Sequence, residues 1–194
     1  MAAEGGRAVP TIPWGSVTEI CYVTTDLTRA IERWAQDLGA GPFFTLTIPA
    51  DFGTRTYRGR PAQDSFSAAL GFCGSTLVEF VQPLNDRPSV FREVLDERGD
   101  LAAHHIYPHI KPVTAAEFDR LRARYEQAGY PAALDMVLPG LGRNILFDAR
   151  ARLGVFLELL EVSPPMYAGV EKMLSAHQSW DGSRPIRDFA ETMV

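Results

Sequence analysis

The sequence predicts an α+β fold: two βαβββ modules followed by a C-terminal helical extension. Three observations carry this. The order of strand, capped helix, glycine stop and three further strands occurs twice along the 194 residues. Each copy has one amphipathic helical segment among short, mostly apolar runs bounded by turn residues. The first and last of those runs in each copy also hold a polar, metal-capable residue: Glu19 and Glu79 in one, His105 and Glu158 in the other.

In chain order, residues 1–15 read as a flexible start. They are small, polar and Pro-containing, without the apolar stretch of a signal peptide. The first module, 16–84, opens with a strand at Ser16 to Thr24. Asp26 caps the next helix, in which Leu27, Ile31, Trp34 and Leu38 recur at helical spacing. Gly39 and Gly41 stop it and Pro42 blocks continuation. Strands follow at Phe43 to Ile48, Ser65 to Phe72 and Thr76 to Gln82, with a Gly-, Arg- and Pro-rich passage at Asp51 to Asp64. Residues 85–101 form a connector with a short helix at Pro88 to Glu97.

The second module, 102–162, repeats the order. It has a strand at Ala103 to Ile110, then a helix from the Thr114 cap to about Gln127, with Glu117 placed for a capping box and Gly129 as the stop. Strands follow near Ala133 to Val137, Asn144 to Asp148 and Val155 to Val162. From 163 the chain changes character. Pro164-Pro165 breaks the strand, Tyr167 to His177 reads as helix, and Trp180-Asp181-Gly182 as a turn with an aromatic anchor. This extension is expected to pack over the core or over a partner subunit.

Composition narrows the function classes. A net charge of -5, without a Lys/Arg stripe, argues against a nucleic-acid partner. No apolar run approaches the roughly 18 residues a membrane span needs. Cys21 and Cys73, far apart in apolar runs, read as buried thiols of a reducing compartment, so a cytoplasmic protein is expected.

A carboxylate in a buried strand costs several kcal/mol unless it is paired, protonated or metal-bound. Glu19, Glu79, His105 and Glu158 therefore read together as ligands of one divalent metal ion: Zn, Mn, Fe, Co, Ni or Mg. Alternation puts Glu19 on one face with Cys21 and Val23, and Glu79 with Leu77 and Val81. Glu158 then shares a face with Phe156 and Leu160, and His105 with Tyr107 and His109. Glu161 alternates away and reads as solvated.

The segments Ile20-Cys21-Tyr22-Val23-Thr24-Thr25-Asp26-Leu27, Trp34-Ala35-Gln36-Asp37-Leu38-Gly39 and His104-His105-Ile106 carry a resemblance. Over Val17 to Val162 the chain resembles the vicinal oxygen chelate superfamily, as a glyoxalase I-like or methylmalonyl-CoA epimerase-like member, and the resemblance implies that the curved mixed sheets of the two modules form a cleft. Position by position, the resemblance puts ligands at Glu79, His105 and Glu158. It puts another at Glu19, where the family usually has His or Gln. It also allows a homodimer.

A metal flanked by carboxylates suits carbon-acid chemistry. The cation acidifies a C–H beside a carbonyl and stabilises the enediolate, while a Glu moves the proton; the resemblance implies Glu158, or else Glu79, as that base. The expected activity is that of an isomerase, epimerase or lyase on a small organic, aromatic or polyketide-like substrate. Tyr57, Arg60, Phe44, Tyr107 and Phe147 are its expected contacts. The alternative is a metal-free, resistance-type small-molecule binder of the same fold.

Overall fold

The computed structural model describes residues 17–108 and 111–193. The expected flexible start and the end of the strand expected to reach Ile110 lie outside the described residues. The strands are β1 (Glu19–Val23), β2 (Phe43–Ile48), β3 (Thr54–Tyr57), β4 (Arg60–Pro61), β5 (Phe66–Cys73) and β6 (Thr76–Pro83). They continue with β7 (Ala102–Tyr107), β8 (Ala132–Leu138), β9 (Gly142–Asp148), β10 (Phe156–Leu160) and β11 (Ile186–Asp188). The helices are α1 (Leu27–Leu38), α2 (Val90–Arg98), α3 (Ala115–Gln127), α4 (Arg150–Leu153) and α5 (Pro164–Gln178).

The local signals act as their chemistry dictates. Asp26 caps α1 by accepting from the Arg29 amide at 3.0 Å, and Gly39 ends it in the left-handed region at φ 64°. Thr114 and Glu117 close a reciprocal capping box at α3. Ser89, rather than Pro88, caps α2, so that helix starts later than the proline suggests.

All eleven strands join one sheet in the order β11-β2-β5-β6-β1-β7-β10-β9-β8-β3-β4. Its centre is the junction of the modules: β1 runs parallel to β6 and antiparallel to β7, and β7 runs parallel to β10. The first and last strands of both copies are thus neighbours.

The passage at 51–64 is more than a loop. Its hairpin, β3–β4, leaves the first module and pairs with β8, covering the far edge of the second. At the other end β11, from the C-terminal extension, pairs with β2 and covers the first module's edge. Each exposed edge is thereby closed by a segment from elsewhere in the chain. Arg55 holds the passage from inside: it is buried and donates to the carbonyls of Asp64, Pro49 and Phe52 at 2.7, 2.8 and 3.1 Å.

Gly53, at φ 79°, brings the backbone so close to β8 that an added Cβ would lie 2.2 Å from the Val137 carbonyl oxygen. Gly53→Ala is expected to destabilise the fold by about 1–3 kcal/mol. Denaturant unfolding checks this, and an unchanged midpoint would contradict the close approach.

Strand alternation divides the apolar residues between two faces. On the outer face α1 covers Phe43, Ala69, Val78 and Phe80, and α3 covers Ile145, Phe147, Leu157 and Leu159. On the concave face two helices plug opposite ends. Val90, Phe91, Val94 and Leu95 of α2 pack on Cys21, Val23, Phe66 and Met136, while Met173 of α5 packs on Phe44, Phe72 and Leu77. Space remains between the plugs. Among the described residues no helix is long and apolar enough to cross a membrane.

Candidate active site

Glu19, Glu79, His105 and Glu158 project from β1, β6, β7 and β10 into that space and line one cavity. Glu19, His105 and Glu158 are buried and Glu79 is partly buried. His105 Nε2 lies 3.1 Å from Glu79 Oε2 and 3.6 Å from Glu158 Oε2. Ligand atoms of Glu19, Glu79 and His105 lie within 4.8 Å of one another, and Glu158 stands beside this compact trio. Glu158 Oε1 accepts from Asn144 Nδ2 at 2.6 Å. Its Oε2 is buried without a hydrogen-bond partner, as is His105 Nε2, which Glu79 approaches out of alignment. Asn144, on β9 two residues from Leu146 on the same face, carried no signal in the sequence beyond its strand position.

Strict alternation puts His104 on the opposite face from His105, and the structure departs from it. Cys21 pairs with His105 and Tyr22 with Ala103, so His104 is an extra residue in β7, a β-bulge. The bulge turns His104 toward α2, where its ring lies 4.9 Å from that of Phe91 and 5.0 Å from that of Phe156.

From there His104 orders its neighbour. Its Nε2 lies 3.1 Å from the Val90 carbonyl, which only accepts, so Nε2 carries a hydrogen. Burial holds the His104 pKa well below the usual range, so the ring is neutral and Nδ1 is an acceptor. His105 Nδ1–H donates to it at 2.8 Å. In the neutral His105 ring the remaining lone pair is then on Nε2, facing the carboxylates, as a metal ligand requires. The same bonds occupy both Nδ1 atoms, which accounts for the second trio of potential ligands, Cys21, His104 and His105.

His104→Phe keeps the stacked ring but removes the tautomer lock. It is expected to weaken divalent-metal affinity by about 10–100-fold while the fold persists. Calorimetric titration of the variant with Zn²⁺ checks this, and an unchanged Kd would count against the lock.

The electrostatics follow from packing like charges in a dry site. Burial pushes the Glu158 carboxyl up to about 7; Glu79 adds to this, while His105 and Asn144 oppose it. Burial, then Glu158 and Glu79, raise Glu19 well above the carboxylate range. For His105 burial acts downward, but Glu158 and Glu79 outweigh it and the pKa rises. Burial, then Glu79, raises the Cys21 thiol well above its usual value, so Cys21 is a neutral core residue under α2. Cys73 is a free thiol, partly buried rather than fully so. Orphaned buried atoms on His105, Glu158 and Asn144, three converging carboxylates and an oriented imidazole fit a divalent cation of hard-to-borderline character.

The expected substrate contacts divide. Tyr107 lines the cavity. Phe147 does not: it alternates with the inward Leu146 and packs under α3. Phe44 is buried by Met173 of α5. Tyr57 and Arg60 travel with β3–β4 to the far edge of the sheet. There the Tyr57 hydroxyl donates to Glu93 at 3.1 Å and Arg60 is exposed. Arg58 is held by Glu93 and Asp148, both at 2.8 Å. Glu161 is half-buried and accepts from Arg143 at 2.6 Å, so it is paired rather than merely solvated.

Two βαβββ modules meeting at β1 and β7, with their first and last strands side by side around one cleft, decide the fold. The chain has the vicinal oxygen chelate, or glyoxalase-like, fold. The methylmalonyl-CoA epimerase of Mycobacterium tuberculosis superposes with a TM-score of 0.52 at 20% identity, over 84% of this chain and 97% of that one. A variant of the Streptomyces coelicolor methylmalonyl-CoA epimerase, in complex with 2-nitronate-propionyl-CoA, aligns at 18% identity with a TM-score of 0.49. That alignment covers 75% of this chain and 95% of that one. A hypothetical protein from Bacillus halodurans aligns at 16% identity with a TM-score of 0.46, over 75% and 92% of the two chains. No protein-family model matches the sequence, and no curated protein matches it.

Proposed function

We propose that this vicinal oxygen chelate chain is a metal-dependent enzyme of the isomerase or epimerase type, moving a proton at a carbon beside a carbonyl in a small organic substrate. Lyase chemistry would share the same first step. The observation that carries the reading is the convergence on His105 Nε2, with Glu79 at 3.1 Å and Glu158 at 3.6 Å, from strands of both modules. The methylmalonyl-CoA epimerase from Mycobacterium tuberculosis, of the same fold, lends the reaction type support.

The compact trio Glu19, Glu79 and His105 would hold the cation. Glu158 stands next to it, anchored through one oxygen by Asn144 and with the other directed into the cavity. A divalent cation held there would supply positive charge to stabilise the anion formed by C–H cleavage. Glu158 takes the proton: its pKa near 7 matches a base working at neutral pH, and its anchored oxygen keeps the other aimed. The apolar walls exclude water from the developing charge.

Metal analysis and solvent-deuterium exchange test the reading together. The purified chain is expected to bind about one equivalent of a divalent ion. Once loaded, it should exchange the α-hydrogen of a ketone or thioester substrate into deuterated buffer. Less than about a tenth of an equivalent, with ligand binding unaffected by chelator, would instead support the metal-free binder.

A further inference from the structure

We infer that this site takes an uncharged substrate of about one ring in size, with a hydrocarbon body and a single oxygenated end, in place of an anionic or nucleotide-carried one. The inference rests on the proposed chemistry at the polar end and adds the class of molecule that fills the remainder.

The cavity has a volume of about 140 Å³. An apolar protein cavity of about 150 Å³ stays dry and binds benzene, so the space here suits one six-membered ring or an equivalent branched chain. Its polar groups gather at one end: Glu19, Glu79, His105 and Glu158 on the central strands, with Asn144 and Tyr107 beside them. Away from that end the walls are apolar, with Leu46, Ile48 and Ala68 from the first module, Leu134, Met136 and Leu146 from the second, and the rings of Phe66 and Phe91. The C-terminal extension supplies the roof: Met166, Val170 and Met173 of α5, and Phe189. The two thioethers adapt to shape, and none of these side chains offers a directional hydrogen bond.

Charge sharpens the choice. Three carboxylates line the cavity, and among the described lining residues there is no Lys or Arg. The arginines packed near the concave face are engaged elsewhere. Arg55 binds backbone carbonyls, and Arg58 and Arg150 are shared between Glu93 and Asp148. A carboxylate or phosphate brought inside would be desolvated beside like charge, with one cation already claimed by Glu19, Glu79 and His105. A neutral α-hydroxyketone with a hydrocarbon substituent meets the walls and the polar end on their own terms.

Four probes decide this on the full, metal-loaded chain by calorimetry: 2-hydroxyacetophenone, hydroxyacetone, mandelate and propionyl-CoA. The ring ketone is expected to bind at least about tenfold more tightly than hydroxyacetone, which keeps the chelating atoms and lacks the ring. It should also exceed mandelate, which keeps the ring and adds a charge, by about tenfold. Ala68→Phe, which fills the wall, should erase the ring preference and leave the metal content unchanged. If that variant misfolds, the wild-type comparison still decides.

Equal binding of the two ketones, or tighter binding of mandelate or propionyl-CoA, would overturn the inference. Repeating the series on metal-free protein separates the two readings. A ring preference that survives in a chain unable to bind metal overturns the proposed catalysis and leaves this inference standing. A metal-loaded enzyme that exchanges hydroxyacetone as readily as the ring ketone does the reverse.

Discussion

Glu158→Gln is expected to slow α-proton exchange by about 10²–10⁴-fold, the usual contribution of a positioned general base. The substitution is close to isosteric. Its amide oxygen can still accept from Asn144, which donates to Glu158 Oε1 at 2.6 Å, so the side chain should stay in place. What is lost is the ability of the second oxygen to take a proton. Because the compact ligand trio is Glu19, Glu79 and His105, the variant should retain metal. Glu79→Gln offers the contrast: it removes a carboxylate 3.1 Å from His105 Nε2 and should lower metal occupancy before it lowers exchange per bound metal. Exchange followed by proton NMR, normalised to metal content, separates the two. Unchanged turnover in Glu158→Gln would remove Glu158 as the base, and a collapse confined to Glu79→Gln would move that role to Glu79.

The metal-free protein is expected to lose stability as pH rises from about 5 to 8, by a few kcal/mol in total. The sign follows group by group. Burial raises Glu158 to about 7, and burial with neighbouring charge raises Glu19 well above its usual value. A buried acid of this kind keeps its proton in the folded state when the unfolded chain has released it. Its contribution is therefore full below the unfolded pKa of about 4.3 and is lost as pH climbs through the folded value. His105 acts in the same direction: its folded pKa is raised, so its contribution is present below about 6.5 and is lost above. His104 opposes them on the acid side, because burial keeps it neutral while the unfolded chain binds a proton below about 6.5.

For a chain of this size the alkaline loss corresponds to a fall in Tm of about 5–10 °C. A divalent ion replaces the missing protons, so its stabilisation should be larger at pH 8 than at pH 6. Glu19→Gln should flatten the metal-free profile. Scanning calorimetry across this range is decisive: a Tm that holds or rises between pH 6 and 8 would mean that the carboxylates do not repel as the geometry implies.

Much of this site was legible along the chain because its signals are local. Glu19, Glu79 and Glu158 each interrupt an apolar strand on the face that turns out to be concave, and alternation is enough to say so. The same rule, applied to Phe147 against Leu146 and Asn144, points Phe147 outward. Aromatic character made it attractive as a contact, but the pleat decides the face. Tyr57 and Arg60 lie away from the cavity for a different cause. Nothing local to Asp51–Asp64 says that its hairpin will pair with β8, some eighty residues on, instead of staying over its own module.

His104 is the clearest case of what local pattern cannot reach. A bulge is a mismatch between two strands, so neither β1 nor β7 alone contains it. Once the bulge exists, His104 moves from the outer face to the concave one and determines which nitrogen of His105 faces the carboxylates.

By itself, then, the sequence determined the main strands and helices, the caps of α1 and α3, and the four polar positions on the inner pleat. These depend on residue spacing within a few turns or a single strand. Tertiary structure alone decided that β6, β1, β7 and β10 stand side by side, that β3–β4 and β11 close the opposite edges, and that α2 and α5 leave a ring-sized space between them. Those outcomes rest on hydrogen-bond pairing and burial between segments far apart in the chain, where the partner, and not the local pattern, sets the register.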